Sequence, residues 1–397
     1  MPHDVNIPRG DALALMRALV AIDSRNPSLV HDGPGEAAVA RRLAAVLADW
    51  GFAVDLLEAA PGRPNVIARI GGGHGGRSLM LNGHLDTVGV EGMTHAPWAL
   101  EEHDGRLYGR GATDMKAGIA AMCAAAARAA NATHGLGGEV IIAAVVDEEF
   151  ASAGTRVLLE AGVTAHAAIV TEPTRLAICP AHRGFAWLDV TVHGHAAHGS
   201  RHDIGVDAVT HAGVLLAELE EYQRTTLAKR AHPLLGHASV HAGVISGGSG
   251  ISTYPERCDV SLERRTLPGE RGAAFALEVR DACDRVRARD PRFRADVLPG
   301  LIQEPNDVPS DHPIVTALAA SCRARGGKAA VEGLSCWTDA ALLTAAGIPA
   351  ICYGPGDIAL AHAAEEYVVL DEITRATDVL TDLVTSWCGP KGVAWGT

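Results

Sequence analysis

The eight residues Leu81-Asn82-Gly83-His84-Leu85-Asp86-Thr87-Val88 decide how this chain is read. Ser78, Leu79, Met80 and Leu81 lead into them as an apolar, strand-like run, and Gly83 breaks that run just before the polar residues. Side chains alternate along an extended segment, so His84 and Asp86 are expected on one face. A histidine and a carboxylate at a strand's end suit a metal ligand and its neighbour. Taken alone, the pair suits a surface loop equally well.

The pattern recurs further along. Val140–Val146 is a continuous apolar run, as a strand covered on both faces requires, and it stops in Asp147-Glu148-Glu149. Three carboxylates after a buried strand repel one another unless a cation compensates them; the alternative is a solvated loop. Ala167–Val170 is another buried strand and ends in Thr171-Glu172-Pro173-Thr174. Between them, Gly109-Arg110-Gly111-Ala112-Thr113-Asp114-Met115-Lys116 predicts a tight turn before an Ala-rich helix over 116–130. Asp114 there fits either a helix N-cap or a carboxylate aimed at a metal. Open α/β sheets place their sites at the carboxyl ends of strands, and three strands here end in ligand-type residues. With His362 in a late loop, His84, Asp114, Glu149 and Glu172 make two imidazoles and three carboxylates. That is the stock for two zinc-like ions sharing a bridging carboxylate. Such a pair can hold a hydroxide and polarise a carbonyl.

The flanking sequence predicts helices over 11–22 and 36–50, and strands over 54–57 and 65–70. Gly71-Gly72-Gly73-His74-Gly75-Gly76 lacks the Lys and Ser/Thr of a phosphate loop and reads as a hairpin connection. Near Ala181 the pattern changes. A half-covered strand over 185–192, a helix over 206–222, strands over 239–245 and 258–264, a helix over 270–287 and a strand over 293–297 follow. That order is β-α-β-β-α-β, an inserted α+β domain. The expected division is 1–182, 183–298 and 299–397, with hinges near Ala181–Arg183 and Pro299–Gly300. Helices over 312–325, 337–346 and 371–387 and a strand over 350–353 return the chain to α/β character.

Composition bounds the function. The chain has 397 residues, 48% of them hydrophobic and 20% charged, and a net charge of −13. An acidic protein of this kind has no electrostatic case for nucleic acid or an anionic membrane. No leader-like n-region or spanning apolar run is present in the sequence. The eight scattered cysteines form no C-x-x-C pair and read as reduced thiols of a cytoplasmic protein.

Gly83 through Val88, Gly109 through Lys116, Asp147-Glu148-Glu149, Thr171 through Thr174 and Ala361-His362 resemble, in that order, the blocks of the M20 metallopeptidase family. The resemblance covers nearly the whole chain. It implies an α/β, mixed-sheet zinc-peptidase-like catalytic domain with an inserted lid and dimerisation domain. It also implies two divalent ions, zinc first and cobalt or manganese as alternatives. Asp114 would bridge them, His84 and Glu172 would complete one site, and Glu149 and His362 the other. Asp86 would fix the His84 tautomer and Glu148 would be the general base. In Val192 through His198, His198 matches the histidine that stabilises the tetrahedral oxyanion, often across a dimer. Arg265, with Arg264 second, matches a carboxylate-binding arginine. Gly354-Pro355-Gly356 resembles a loop that lets backbone approach the substrate. Ser252 stands where many members have a substrate-holding Asn. The implied reaction is hydrolysis of the amide of an N-acyl-amino acid, acetylornithine deacetylase-like, in a homodimer joined through the lid. A dipeptidase or glutamate-carboxypeptidase-like enzyme is the alternative. A binding protein that kept the fold is of a different class, and an intact ligand set with its base speaks against it.

Overall fold

The computed structural model describes residues 7–72, 75–132 and 135–390. The chain divides into two units, one of Met1–Pro180, Val308–Glu332 and Thr338–Thr397, the other of Ala181–Asp307 and Gly333–Trp337. The strands that position the site are β1 (Ala53–Ala60), β2 (Arg63–Gly71), β3 (Leu79–His84), β4 (Glu139–Val145), β5 (Ala167–Val170) and β6 (Ile178–His182). The second unit adds β7 (Gly184–His193), β8 (Ser239–Gly247), β9 (Arg257–Thr266) and β10 (Arg294–Gln303), and β11 (Ala350–Cys352) follows.

In the first unit the sheet order is β1-β2-β4-β3-β5-β11-β6. The pairs β4-β3, β3-β5 and β5-β11 are parallel, while β1-β2, β2-β4 and β11-β6 are antiparallel. The sheet is therefore mixed, with a parallel centre. β3 and β5 are buried at every position, as their unbroken apolar runs require. The Ala117–Ala130 helix packs on the Leu370–Trp387 helix, and its alanines allow a near-complete burial that longer side chains would block.

Two local expectations are corrected. Gly83 does not break β3, which runs on to His84. A Cβ at Gly83 would lie 2.8 Å from Met115 Cε, so the glycine admits the neighbouring loop. Nor is the 71–76 glycine run a hairpin connection. β2 and β3 are separated by β4, which bonds to both. Gly73 and His74 lie outside the described residues. A run of glycines marks a turn but carries nothing about which strands flank it.

The second unit is a four-stranded antiparallel sheet, order β8-β9-β7-β10. Alternating burial in β7 and β9 faces Leu188, Val190, Val260 and Leu262 into a core shared with the Ala208–Thr225 and Ala274–Arg289 helices. The order is β-α-β-β-α-β. Its far end differs from position 298, because β10 pairs with β7 out to Gln303 opposite Phe185. Pro299-Gly300, read as a hinge, is a bulge inside β10, where the register shifts between Pro299 and Ile302. Proline cannot donate to a ladder, and a bulge accommodates it. No described helix is long and apolar enough to cross a membrane.

Candidate metal centre

Five loops leave the carboxyl ends of the first unit's strands or precede its helices, and they converge. His84 closes β3 and is buried. Asp114 sits in an irregular segment, φ −120° and ψ 92°, just before the Ala117–Ala130 helix, so it is not that helix's N-cap. Its carboxylate faces two ways. Oδ1 lies 3.0 Å from His84 Nε2, and Oδ2 lies 3.5 Å from His362 Nε2. Glu149 Oε2 is 2.9 Å from His362 Nε2, and Glu172 Oε1 is 3.8 Å from His84 Nε2. Glu148 Oε2 stands 4.0 Å from His84 Nε2. Ligand atoms of His84, Glu148 and Glu172 lie within 4.8 Å of one another, as do those of His84, Asp114 and Glu149.

The electrostatics call for cations. Burial, then the charges of neighbouring carboxylates, push Glu148 and Glu172 well above the ordinary carboxylate range, and Glu149 is raised in the same way. Against its own burial, Asp114 is held low by His362 and His84. Asp114 and Glu149 in turn push His362 up to about 10. Asp114 and Glu172 are buried and Glu148 and Glu149 nearly so, and four such carboxylates against two imidazoles are short of positive charge; the oxygen and nitrogen donor set fits divalent metal ions.

Asp86 performs a different job from the one expected. The His84 ring donates from Nδ1 to the Asp86 backbone carbonyl at 3.0 Å, while the Asp86 carboxylate stands 3.7 Å away. A carbonyl can only accept, so it fixes the proton on Nδ1 and leaves Nε2 as the ligand atom. The chain leaves the strand after His84, and this brings the carbonyl round in place of the side chain. The Asp86 carboxylate instead accepts the backbone N–H groups of Glu148 and Glu149, both at 3.2 Å. Asn26 Nδ2 donates to it at 2.8 Å and to Asp147 at 3.2 Å. Arg63 binds Asn26 Oδ1 at 3.1 Å and Asp147 at 3.0 Å, and is anchored by buried Glu36 at 2.5 Å.

The remaining candidates fall in three places. Arg264 is buried, 2.8 Å from Glu270 and 3.3 Å from Glu278, so it is not a substrate arginine. Neighbours on a strand face opposite ways, and Arg264 takes the helix-covered face of β9. Arg265 takes the other, pairs with Glu263 and lies over the Phe185 ring at 5.5 Å. His198 and Ser252 come together on the second unit: Gly199 N donates to Ser252 O at 2.7 Å, and the exposed His198 ring bonds Ser200 Oγ at 2.9 Å. Gly354 and Gly356 already spend their amides on Thr174 Oγ1 at 3.1 Å and Glu372 Oε2 at 2.7 Å. A Cβ at Gly354 would lie 2.4 Å from Thr171 O and 2.6 Å from Glu172 O. The close approach Gly354 allows is to the Glu172 segment, and a Cβ at Gly356 would meet Thr113 Oγ1 at 3.0 Å.

Asn26, Arg63, Asp339 and Glu366 were not singled out from sequence. Each lies far in sequence from the groups its side chain bonds, and Asn26-Pro27 or Glu365-Glu366 alone reads as an ordinary loop. Asp339 is buried, accepts Thr155 Oγ1 at 2.6 Å, and adds its charge to Glu148 and Glu172.

The profile of Peptidase family M20/M25/M40 matches residues 80–386. The chain belongs to this family. It is accordingly an enzyme of the metallopeptidase and amidohydrolase kind. It is 33% identical over 331 residues to an acetylornithine deacetylase of Myxococcus xanthus, covering 82% of this chain and 85% of that protein. It is 29% identical over 384 residues to an N-formyl-4-amino-5-aminomethyl-2-methylpyrimidine deformylase of Bacillus subtilis (strain 168), covering 88% and 89%. Among solved structures, aminopeptidase PepT from Bacillus cereus superposes with a TM-score of 0.79 at 19% identity, over 96% of this chain and 99% of that one. That likeness is one of fold.

Proposed function

We propose that this M20 hydrolase cleaves the amide bond of an N-acyl-amino acid at a two-metal centre, with acetylornithine deacetylase-like deacylation as the first choice. The observation that carries the reading is Asp114, whose two oxygens address two different histidines while Glu148 stands beside them. His84, Glu172 and Asp114 would hold one divalent ion; Asp114, Glu149 and His362 would hold the other. Zinc is the first choice and cobalt or manganese the alternatives. When bound, such ions supply Lewis acidity toward the amide carbonyl and toward water.

The rest is the work of the chain. Glu148 takes a proton from the attacking water and returns it to the leaving amine. Its burial suits that role, because a base that must later act as an acid needs a raised carboxyl. Asp86 holds the N–H groups of Glu148 and Glu149, so the two neighbouring carboxylates are supported separately. His198 stabilises the oxyanion and Arg265 receives the substrate carboxylate. Names of relatives support deacylation: a deacetylase and a deformylase both remove a small acyl group from nitrogen. A second copy joined through β8 accounts for that strand's exposed Val244 and Ile245.

Amine release from a panel of N-acetyl- and N-formyl-amino acids and dipeptides, after stripping and reloading with zinc, cobalt or manganese, tests the reading. Metal-dependent cleavage of the acyl compounds is expected. Cleavage of dipeptides alone would replace deacylase by dipeptidase.

A further inference from the structure

Glu366 is buried in the first unit, four residues beyond His362. Its carboxylate collects the loop that carries Asp114. Oε1 accepts the backbone N–H groups of Thr113 at 2.9 Å and Asp114 at 3.1 Å. Oε2 accepts Gly111 N at 3.1 Å and buried Arg110 Nη1 at 2.6 Å. Arg110 then reaches back toward the His362 loop, with Nη2 donating to Ala363 O at 3.4 Å. Gly109 N donates to the Glu366 backbone carbonyl at 3.2 Å. The two loops are thus laced together on both sides of one ion pair.

We infer that the Arg110–Glu366 pair is a positioning device for the His362 half of the metal centre. The inference rests on the two-metal reading above. The two halves of the centre differ in how they are supported. His84 is 1% exposed and closes an all-buried strand, so its half has the sheet behind it. The His362 side chain is 54% exposed on a loop with φ +61°, between the short 3-10 turn Ile358–Leu360 and the strand Tyr367–Val369, neither of which includes it. Its aim toward Asp114 and Glu149 depends on the backbone that follows it, and Glu366 ties that backbone to Asp114. Loosening the pair therefore frees His362 first; His84 and Glu172 keep their strand-end supports, and Asp114 keeps the start of the Ala117–Ala130 helix behind it.

The test is calorimetric titration of stripped, folded protein with zinc or cobalt alone, for wild type, Glu366→Gln, Arg110→Lys and Asp114→Asn. Glutamine keeps one acceptor oxygen but turns an NH2 toward Arg110 and Gly111. Lysine keeps the charge and loses the bonds to Ala363 O and to Gly89 O, the latter made by Arg110 Nε at 2.8 Å. Wild type should bind two ions. Glu366→Gln should keep one affinity unchanged and weaken the other by roughly 10–100-fold, the usual effect of losing a group that orients a ligand. Arg110→Lys should weaken the same ion, and it carries the test should Glu366→Gln not fold. Asp114→Asn should weaken both. Two ions bound by the folded variants as in wild type would overturn the inference, and so would equal weakening of both, which is what a general loosening produces. Failure of wild type to bind two ions, or indifference to Asp114→Asn, would instead overturn the two-metal reading.

Discussion

Asp339 is the buried carboxylate nearest in influence to Glu148 and Glu172 that serves neither proposed metal site. Burial raises it from an ordinary value of 3.8 to about 6, partly opposed by the bond from Thr155. Between those values the folded chain keeps a proton that the unfolded chain has released. Stability from this group is therefore full below about pH 4 and is lost as the pH rises through about 6. Asp339→Asn in metal-free protein should raise the melting temperature above pH 7 and leave it unchanged near pH 4; melts across that range check it, and an unchanged pH dependence would contradict the assignment. At Glu148 the expectation is chemical. Glu148→Gln should retain both metals and lower kcat by roughly 10²–10⁴-fold, the usual contribution of a positioned acid–base group. The candidate ligand types were legible because strands that end in His, Asp and Glu are conspicuous in sequence. The supports of those ligands were not. Asp86 was expected to touch His84 with its carboxylate, and the path of the backbone after β3 reversed the parts.

Strand alternation gives the clearest contrast at the scale of the element. Arg264 and Arg265 are adjacent in β9 and should behave as unrelated residues. Arg264→Met leaves Glu270 and Glu278 to Arg230 alone and should cost up to about 3 kcal/mol of the second unit's stability, the low end for breaking a buried ion pair, with KM unchanged. Arg265→Met should leave the melting temperature nearly unchanged and raise KM roughly 10–100-fold, the loss of a charge-assisted hydrogen bond to the substrate carboxylate. Urea melts and steady-state kinetics on the two variants separate these outcomes; reversed effects would exchange the roles. The parity of β9 was within reach of the sequence, since Cys258, Val260 and Leu262 mark the covered face and Arg264 continues it. The bulge at Pro299-Gly300 and the strand order around β4 were not, because both depend on a partner strand far away in the chain.

For the whole molecule, the second unit begins at Ala181, where the hydrophobic period of the sequence changes. The far end depended on how long β10 had to be to match β7. If a second copy pairs along β8, Val244→Lys with Ile245→Lys should give a folded monomer by light scattering where wild type is a dimer; a monomeric wild type would exclude His198 acting across an interface. The proposed Glu148-dependent, two-metal hydrolysis of an N-acyl amide ties metal content to turnover. The most direct measurement is amine release by stripped and zinc-reloaded protein, with metal content counted, for wild type and Glu148→Gln side by side. Two ions are expected in both proteins, and turnover of N-acyl-amino acids in wild type alone. Equal turnover by the Glu148→Gln protein, or turnover that persists after the metals are removed, would contradict the proposal.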